Sequence, residues 1–151
     1  MTYIGKPYAS SGHSNRPAKH AFRRETDESR AWTSNGAFPH FVWFEFEENK
    51  TLTKIGFSSD RRKNWAPKKF EVLASMQCER WEQYDSTAEV LLVVENAVFD
   101  EADQAKAWWI PKAKQAPYLC IGIKIHSSSK NSLPNTALQN MIMWERRNVR
   151  S

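Results

Sequence analysis

Glycine is scarce in this chain, with five among 151 residues, and none forms a phosphate-cradling loop. Also missing are a G-x-S-x-G nucleophile elbow and an H-E-x-x-H zinc motif. His13, His20, His40 and His126 have no metal-ligand spacing. These absences argue against an enzyme. No apolar run approaches the roughly 20 residues a membrane helix needs. Met1 to Lys6 lacks the apolar stretch of a secretory leader, so the expectation is an intracellular chain or a mature segment without its leader. The two cysteines, Cys78 and Cys120, are too few for a disulfide framework or a zinc site. A single bridge and two free thiols are both compatible with them. Helix signals are thin: only Glu101 to Trp108, with its Ala, Gln and Lys, has the composition for about two turns. There is no internal repeat and no low-complexity segment.

What is present is aromatic and β-patterned. Seven Trp and eight Phe exclude a disordered chain, and 151 residues suffice for one domain with a real core. Phe41 to Glu47 alternates, with Val42, Phe44 and Phe46 on one face. Thr53, Ile55 and Phe57 repeat the spacing, as do Phe70, Val72 and Ala74. Val90 to Val94 is a short apolar strand. Leu119, Ile121, Ile123 and Ile125 form the cleanest stripe, with Cys120, Gly122, Lys124 and His126 opposite. Leu138 to Trp144 is the last apolar segment. Clusters of Gly, Pro, Asn and Ser separate the runs at Ser34 to Gly36, Ser58 to Pro67 and Ser127 to Pro134. Short strands so punctuated predict an all-β sandwich or barrel. The core is expected to hold Val42, Phe44, Phe46, Ile55, Phe57, Phe70, Val72, Leu119, Ile121 and Ile123. Residues 1–151 read as one domain, with a polar arm at 1–8 running along the surface before the first strand and a basic tail at 146–151.

The net charge of +5 is unevenly placed. Met1 to Arg24 carries Lys6, Arg16, Lys19, Arg23 and Arg24 without an acid. Arg61, Arg62, Lys63, Lys68 and Lys69 surround Trp65, and Arg146, Arg147 and Arg150 lie in the tail. Acids gather at Glu95, Asp100, Glu101 and Asp103. Clustered positive charge attracts anions, although a solvated surface gives the same pattern. Glu45 and Glu47 share a strand face, as an acid/base pair would. The stronger reading is two solvated carboxylates on an outer sheet face.

Several segments, in order along almost the whole chain, resemble the discoidin (coagulation-factor type C) family. They are Ala9-Ser10-Ser11, Pro17-Ala18-Lys19-His20-Ala21, Ala31-Trp32-Thr33-Ser34, Val42-Trp43-Phe44-Glu45-Phe46 and Leu52 to Phe57. Lys69 to Ser75, Trp81, Tyr118 to Ile123, Ala137-Leu138 and Glu145 continue the match. Asn35 to Trp43 and Cys120 to Ile125 resemble an invertebrate subset of it. The resemblance implies an eight-stranded jelly-roll β-sandwich, galactose-binding-domain-like, whose members bind glycans, phospholipid headgroups or protein partners. Some members hold a structural calcium ion through an N-A-x-D-G turn. This chain has His20-Ala21-Phe22-Arg23-Arg24 there, and the Arg23 cation cannot replace a carboxylate among the six to eight oxygens calcium takes. Asp27, Ser29 and Glu145 are the remaining candidate ligands. The expectation is no cofactor, with calcium as the alternative.

By the same resemblance three loops crowd one end of the sandwich: Ser11 to Pro17, Ser34 to His40 and Ser58 to Pro67. They offer His13, Asn15, Arg16, Asn35, Phe38, His40, Asp60, Arg61, Arg62, Asn64 and Trp65. A sugar needs an aromatic face for its C–H side and planar polar groups for its hydroxyls. Trp65, a loop tryptophan among charges, is the leading platform. Phe38 is a platform or a plug. Trp32, Trp81 and Trp144 match core positions of the family. Trp43 lies on the polar face of its strand, under a loop. Of the adjacent Trp108 and Trp109 only one can face inward. Cys120, on the outward face, is placed for a bridge to Cys78, and His126 is a solvated strand end. The expected function is non-catalytic, lectin-like glycan binding. The alternatives are anionic phospholipid headgroups, where each basic residue adds about 1 kcal/mol, and an extracellular or adhesive protein contact. Nucleic acid ranks last, for want of a recognition motif. The family resemblance favours an extracellular setting.

Overall fold

The computed structural model describes residues 5–10, 21, 32–34, 37–59, 65–78, 88–101, 104–129 and 136–146. Among the described residues eight strands run in the order β1 (Gly5–Ala9), β2 (Trp32–Thr33), β3 (His40–Ser58), β4 (Pro67–Ser75), β5 (Glu89–Val94), β6 (Ala105–Trp109), β7 (Pro117–Ser128) and β8 (Ala137–Glu145). Every pairing among these described strands is antiparallel. The long strand β3 serves both layers. Its first part, from His40 to Thr51, pairs with β1 and β7, and β7 continues through β4 to β5. Its second part, from Leu52 to Ser58, pairs with β6 and β8, and β8 continues to β2. The transfer occurs where Glu47, Glu48 and Asn49 are exposed and the β7 register shifts between Glu45 and Lys50. The expected all-β jelly-roll sandwich is therefore present.

The core lies between the layers, because alternation sends every second side chain inward. Val42, Phe44 and Phe46 face Ile55 and Phe57 across it, joined by Phe70, Val72, Ile121, Ile123 and Ile125. Leu119 departs from the expected core list. It lies near the start of β7, half-buried, and packs instead in a second cluster of Trp43, Leu73 and Cys120 on the other face of the first sheet. Trp43 is 4% exposed there. Its cross-strand partner is Gly122, where any Cβ would collide with the Trp43 Cβ and meet the Val42 carbonyl at 2.9 Å. Cys120 is thus turned away from the main core yet fully buried, and it is bridged to Cys78 with Cα atoms 6.0 Å apart.

Three further expectations are corrected. Residues 105–109 form an edge strand on β3, not a helix: Trp108 turns in against Phe57 and Phe70, and the β3 backbone supplies the hydrogen bonds. Tertiary pairing overrides a weak helical propensity here. Residues 5–8 of the expected surface arm belong to strand β1, with Pro7 on the sheet edge, where its missing N–H costs nothing. Trp144 faces out with Ile142 and is 38% exposed, because the alternate positions Met141 and Met143 are the ones that face in. Trp32 is fully buried as expected, and Trp81 lies outside the described residues.

At the β7 start, Tyr118 Oη donates to Glu89 Oε2 at 2.6 Å, and Lys114 Nζ donates to Glu89 Oε1 at 3.4 Å. Burial, then the Glu89 hydrogen bond, pushes the Tyr118 phenol from 10.0 up to about 12. The bond from Tyr118 holds Glu89 below the usual carboxylate range. Because the folded phenol titrates higher, its contribution to stability is complete below about pH 10 and lost as pH approaches 12. Phenolate absorbance should show one of the four tyrosines titrating near 12. Tyr118→Phe should delete that step and Glu89→Gln should bring it down. A step unchanged by Glu89→Gln would show that the bond does not form.

Candidate functional site

Strand register gathers the loop roots at one end. Ala9 lies opposite Val42 near the start of β3, His40 opposite Ile125 near the end of β7, and Pro67 opposite the terminal Ser128. In the second sheet Ser58 is level with Ala105, and Thr33 with Ala137. The described residues that flank the strands at this end are therefore Ser10, Ser34, Ser59, Trp65, Ser129 and Thr136. Ser129 and Thr136 flank the stretch that the sequence offers only as punctuation.

The roots are fastened by short hydroxyl-bearing residues. Ser10 Oγ accepts from the Phe41 N–H at 2.8 Å. Ser34 N–H donates to the Thr136 carbonyl at 2.9 Å, and Ser34 Oγ accepts from Thr136 N–H at 2.8 Å. The Thr136 hydroxyl donates to the Trp65 carbonyl at 2.8 Å, and Ser129 N–H to the Ala66 carbonyl at 3.2 Å. Ser59 Oγ accepts from Gln104 N–H at 3.2 Å and donates to the Glu101 carbonyl at 3.3 Å. Buried Gln139 donates through Nε2 to the Ser59 carbonyl at 3.2 Å. Buried polar groups need such partners, and their mutual satisfaction holds the loop bases in one arrangement. Sequence reading missed this set. Its only signal is the recurrence of Ser and Thr at strand ends.

Of the nominated ligand residues, three are described. Trp65 is half-buried, two residues before β4 begins. Phe38 is half-buried, two residues before β3, against the core and edge-on to His40 at 4.9 Å between ring centroids. Because β7 runs between β3 and β4, their strand roots stand two strand spacings apart, about 9–10 Å. His40 is 1% exposed, so it is placed to support Phe38 from behind. His13, Arg16, Asn35, Asp60, Arg61, Arg62 and Asn64 lie outside the described residues.

Among the described residues no group of three or more His, Cys, Asp or Glu is placed to hold a metal. Asp27 and Ser29, the candidate calcium ligands, lie outside the described residues. Glu145 ends β8 at the opposite pole and is 3.5 Å from Lys50 Nζ. The Glu48 hydrogen bond and the Glu145 charge raise the Lys50 ammonium above the usual lysine value. His126, expected to be solvated, instead sets Nε2 2.7 Å from Glu71 Oε1 on the outer face of the first sheet. Glu45 is half-buried and Glu47 exposed.

No protein-family model matches the sequence, and no curated protein matches it in sequence. Solved structures do match in shape. The family 32 carbohydrate-binding module of NanJ from Clostridium perfringens, in complex with galactose, aligns over 92% of this chain and 92% of its own at 12% identity and a TM-score of 0.69. The family 32 module of AlyQ, in complex with 4,5-unsaturated mannuronic acid, aligns over 95% and 98% at 11% identity and a TM-score of 0.69. A fucolectin from striped bass (Morone saxatilis) serum aligns over 95% of this chain and 47% of its own at 10% identity and a TM-score of 0.71. At such identities the likeness establishes the fold, a galactose-binding-domain-like jelly roll.

Proposed function

We propose that this jelly-roll domain is a non-catalytic, lectin-like carbohydrate-binding module whose ligand sits on the loops at the β3-start, β4-start and β7-end pole. The observation that carries this reading is the hydrogen-bonded meeting of described loop roots at Ser34, Trp65 and Thr136, with the half-buried aromatics Phe38 and Trp65 beside the end of β7. Loops held on a rigid scaffold are where binding residues concentrate. The likeness to structures solved with galactose and with an unsaturated mannuronic acid supports sugar as the ligand class. It lends no support to the lipid or protein alternatives. On this reading Trp65 supplies the stacking face, and Asp60, Arg61, Arg62, Asn64, Asn35, His13 and Arg16 supply the polar contacts.

The test is a glycan array carrying galactose, N-acetylgalactosamine and uronate termini, followed by titration of the best ligand. Trp65→Ala should abolish binding while the melting temperature stays close to that of the parent chain. Arg61→Ala and Arg62→Ala separate two ligand classes. Affinity for an acidic sugar should fall with each variant and with salt, since exposed charges are screened over about 8 Å at physiological ionic strength. Affinity for a neutral sugar should be insensitive to salt. Normal binding by Trp65→Ala at every salt concentration would place the site elsewhere.

A further inference from the structure

The outer face of the second sheet carries an aromatic pair organised around a cation. Lys54 on β3 pairs in register with Trp109 on β6 and with Trp144 on β8. Its Nζ lies 4.7 Å from the Trp109 ring centroid and 4.8 Å from that of Trp144. Trp109 is 68% exposed, Trp144 38% and the neighbouring Ile142 40%. Beside them the face is low. Gly56 sits between Ala107 and Ile142, and a Cβ there would meet the Lys106 carbonyl oxygen at 2.5 Å and the Ala107 Cβ at 2.8 Å. Ala105 and Ala107 extend the shallow strip along β6. Over residues 52–58, 105–109 and 137–145 the only carboxylate is Glu145, and it is paired with Lys50.

We propose that this face is a second binding site, for an acidic polysaccharide built of uronate sugars. The site goes beyond the loop-end reading and does not rest on it. The chemistry of the face selects the occupant. An indole exposed to this degree offers a flat surface on which the C–H side of a pyranose ring packs. One lysine held between two indoles keeps them in register and sets its ammonium group at the centre of the platform. Its ammonium has three donors and no acceptor, so it complements a carboxylate on the sugar lying across the rings. The absence of an outward acid on these strands leaves that attraction unopposed. The low strip over Gly56, Ala105 and Ala107 lets a linear chain lie along the sheet. An anionic lipid surface would meet the same charge, but it favours projecting apolar side chains over a flat strip.

The probe is polygalacturonate, with a neutral galactan beside it, titrated against the full chain and against a Trp65→Ala background that silences the loop end. In both, polygalacturonate should bind and the binding should weaken with salt. Trp109→Ala and Lys54→Met should each weaken it about tenfold, the size of one aromatic or cation–π contact. Trp109→Phe, which keeps an aromatic face, should restore most of it. Melting temperatures should stay near the parent value, because Trp109 and Lys54 lie outside the core. The proposal is overturned if the parent chain does not bind polygalacturonate, or if both variants bind it as the parent does. It is also overturned if Trp109 is needed only for binding to phosphatidylserine vesicles. If Trp65→Ala has no effect on any glycan while Trp109→Ala does, the loop-end reading fails and this one stands.

Discussion

Phe57→Ala should lower the stability of the fold by about 3–5 kcal/mol, the usual result of emptying a large aromatic site in a core. Phe57 is 2% exposed and lies at the meeting point of the two layers. Its ring centroid is 5.4 Å from that of Phe70, 5.7 Å from Phe99 and 5.2 Å from Trp108. Removing it strips packing from three aromatic neighbours on β4, β6 and the segment before β6. Those rings are rigid and cannot collapse into the space. Domains of this kind have total stabilities of about 5–15 kcal/mol, so the loss is a large share of the whole. Urea denaturation should show a lower midpoint with an unchanged slope, the mark of altered stability without altered compactness. Phe57→Leu, which keeps part of the volume, should cost less. A Phe57→Ala midpoint within error of the parent would mean that the aromatic cluster does not bear on the core.

Phe57 was legible from sequence because β-alternation is local information: Ile55 and Phe57 face in for the same reason that Val42, Phe44 and Phe46 do. The same rule, applied to β8, puts Met141 and Met143 inside and Trp144 outside. At Trp144 the family position and the period of the strand disagree, and the period holds. The Trp108 and Trp109 pair divides as alternation demands, with Trp109 out. What local pattern does not carry is pairing between distant segments. Strand β6 exists because β3 offers it a hydrogen-bonding edge, and nothing within Ala105 to Trp109 reports that edge. Similarly, the base of the candidate site joins Ser34 to Thr136, 102 residues apart, and Thr136 to Trp65, 71 apart. Trp65 and Phe38 stand out as aromatics in loops, which is a local signal. The burial of His40 behind Phe38 depends on β3 and β7 meeting at His40 and Ile125, which is not.

The second large effect is expected at the disulfide. Cys78 and Cys120 are separated by 42 residues, and closing a loop of that length restricts the unfolded chain by about 4 kcal/mol in the chain-entropy account. Cys120 is fully buried beside Trp43 and Leu73, and Cys78 is half-buried on the same cluster. The bridge thus also caps the second apolar cluster on the outer face of the first sheet. The double variant Cys78→Ala/Cys120→Ala, or treatment with a thiol reductant under denaturing conditions, should lower stability by roughly that amount, within the usual range of about 2–5 kcal/mol for a native bridge. Such bridges persist in oxidising compartments. The bridge also separates stability from binding. Cys120 stands eight residues before Ser128, about 26 Å along β7 from the loop-bearing pole. Well below its own unfolding transition, the double variant should therefore bind the loop-end glycan with the parent affinity while unfolding at lower denaturant. Equal midpoints for the oxidised and reduced chains would show that the bridge is dispensable. A parallel fall in affinity would show instead that strain or loosening at the bridged end reaches the loops through β7.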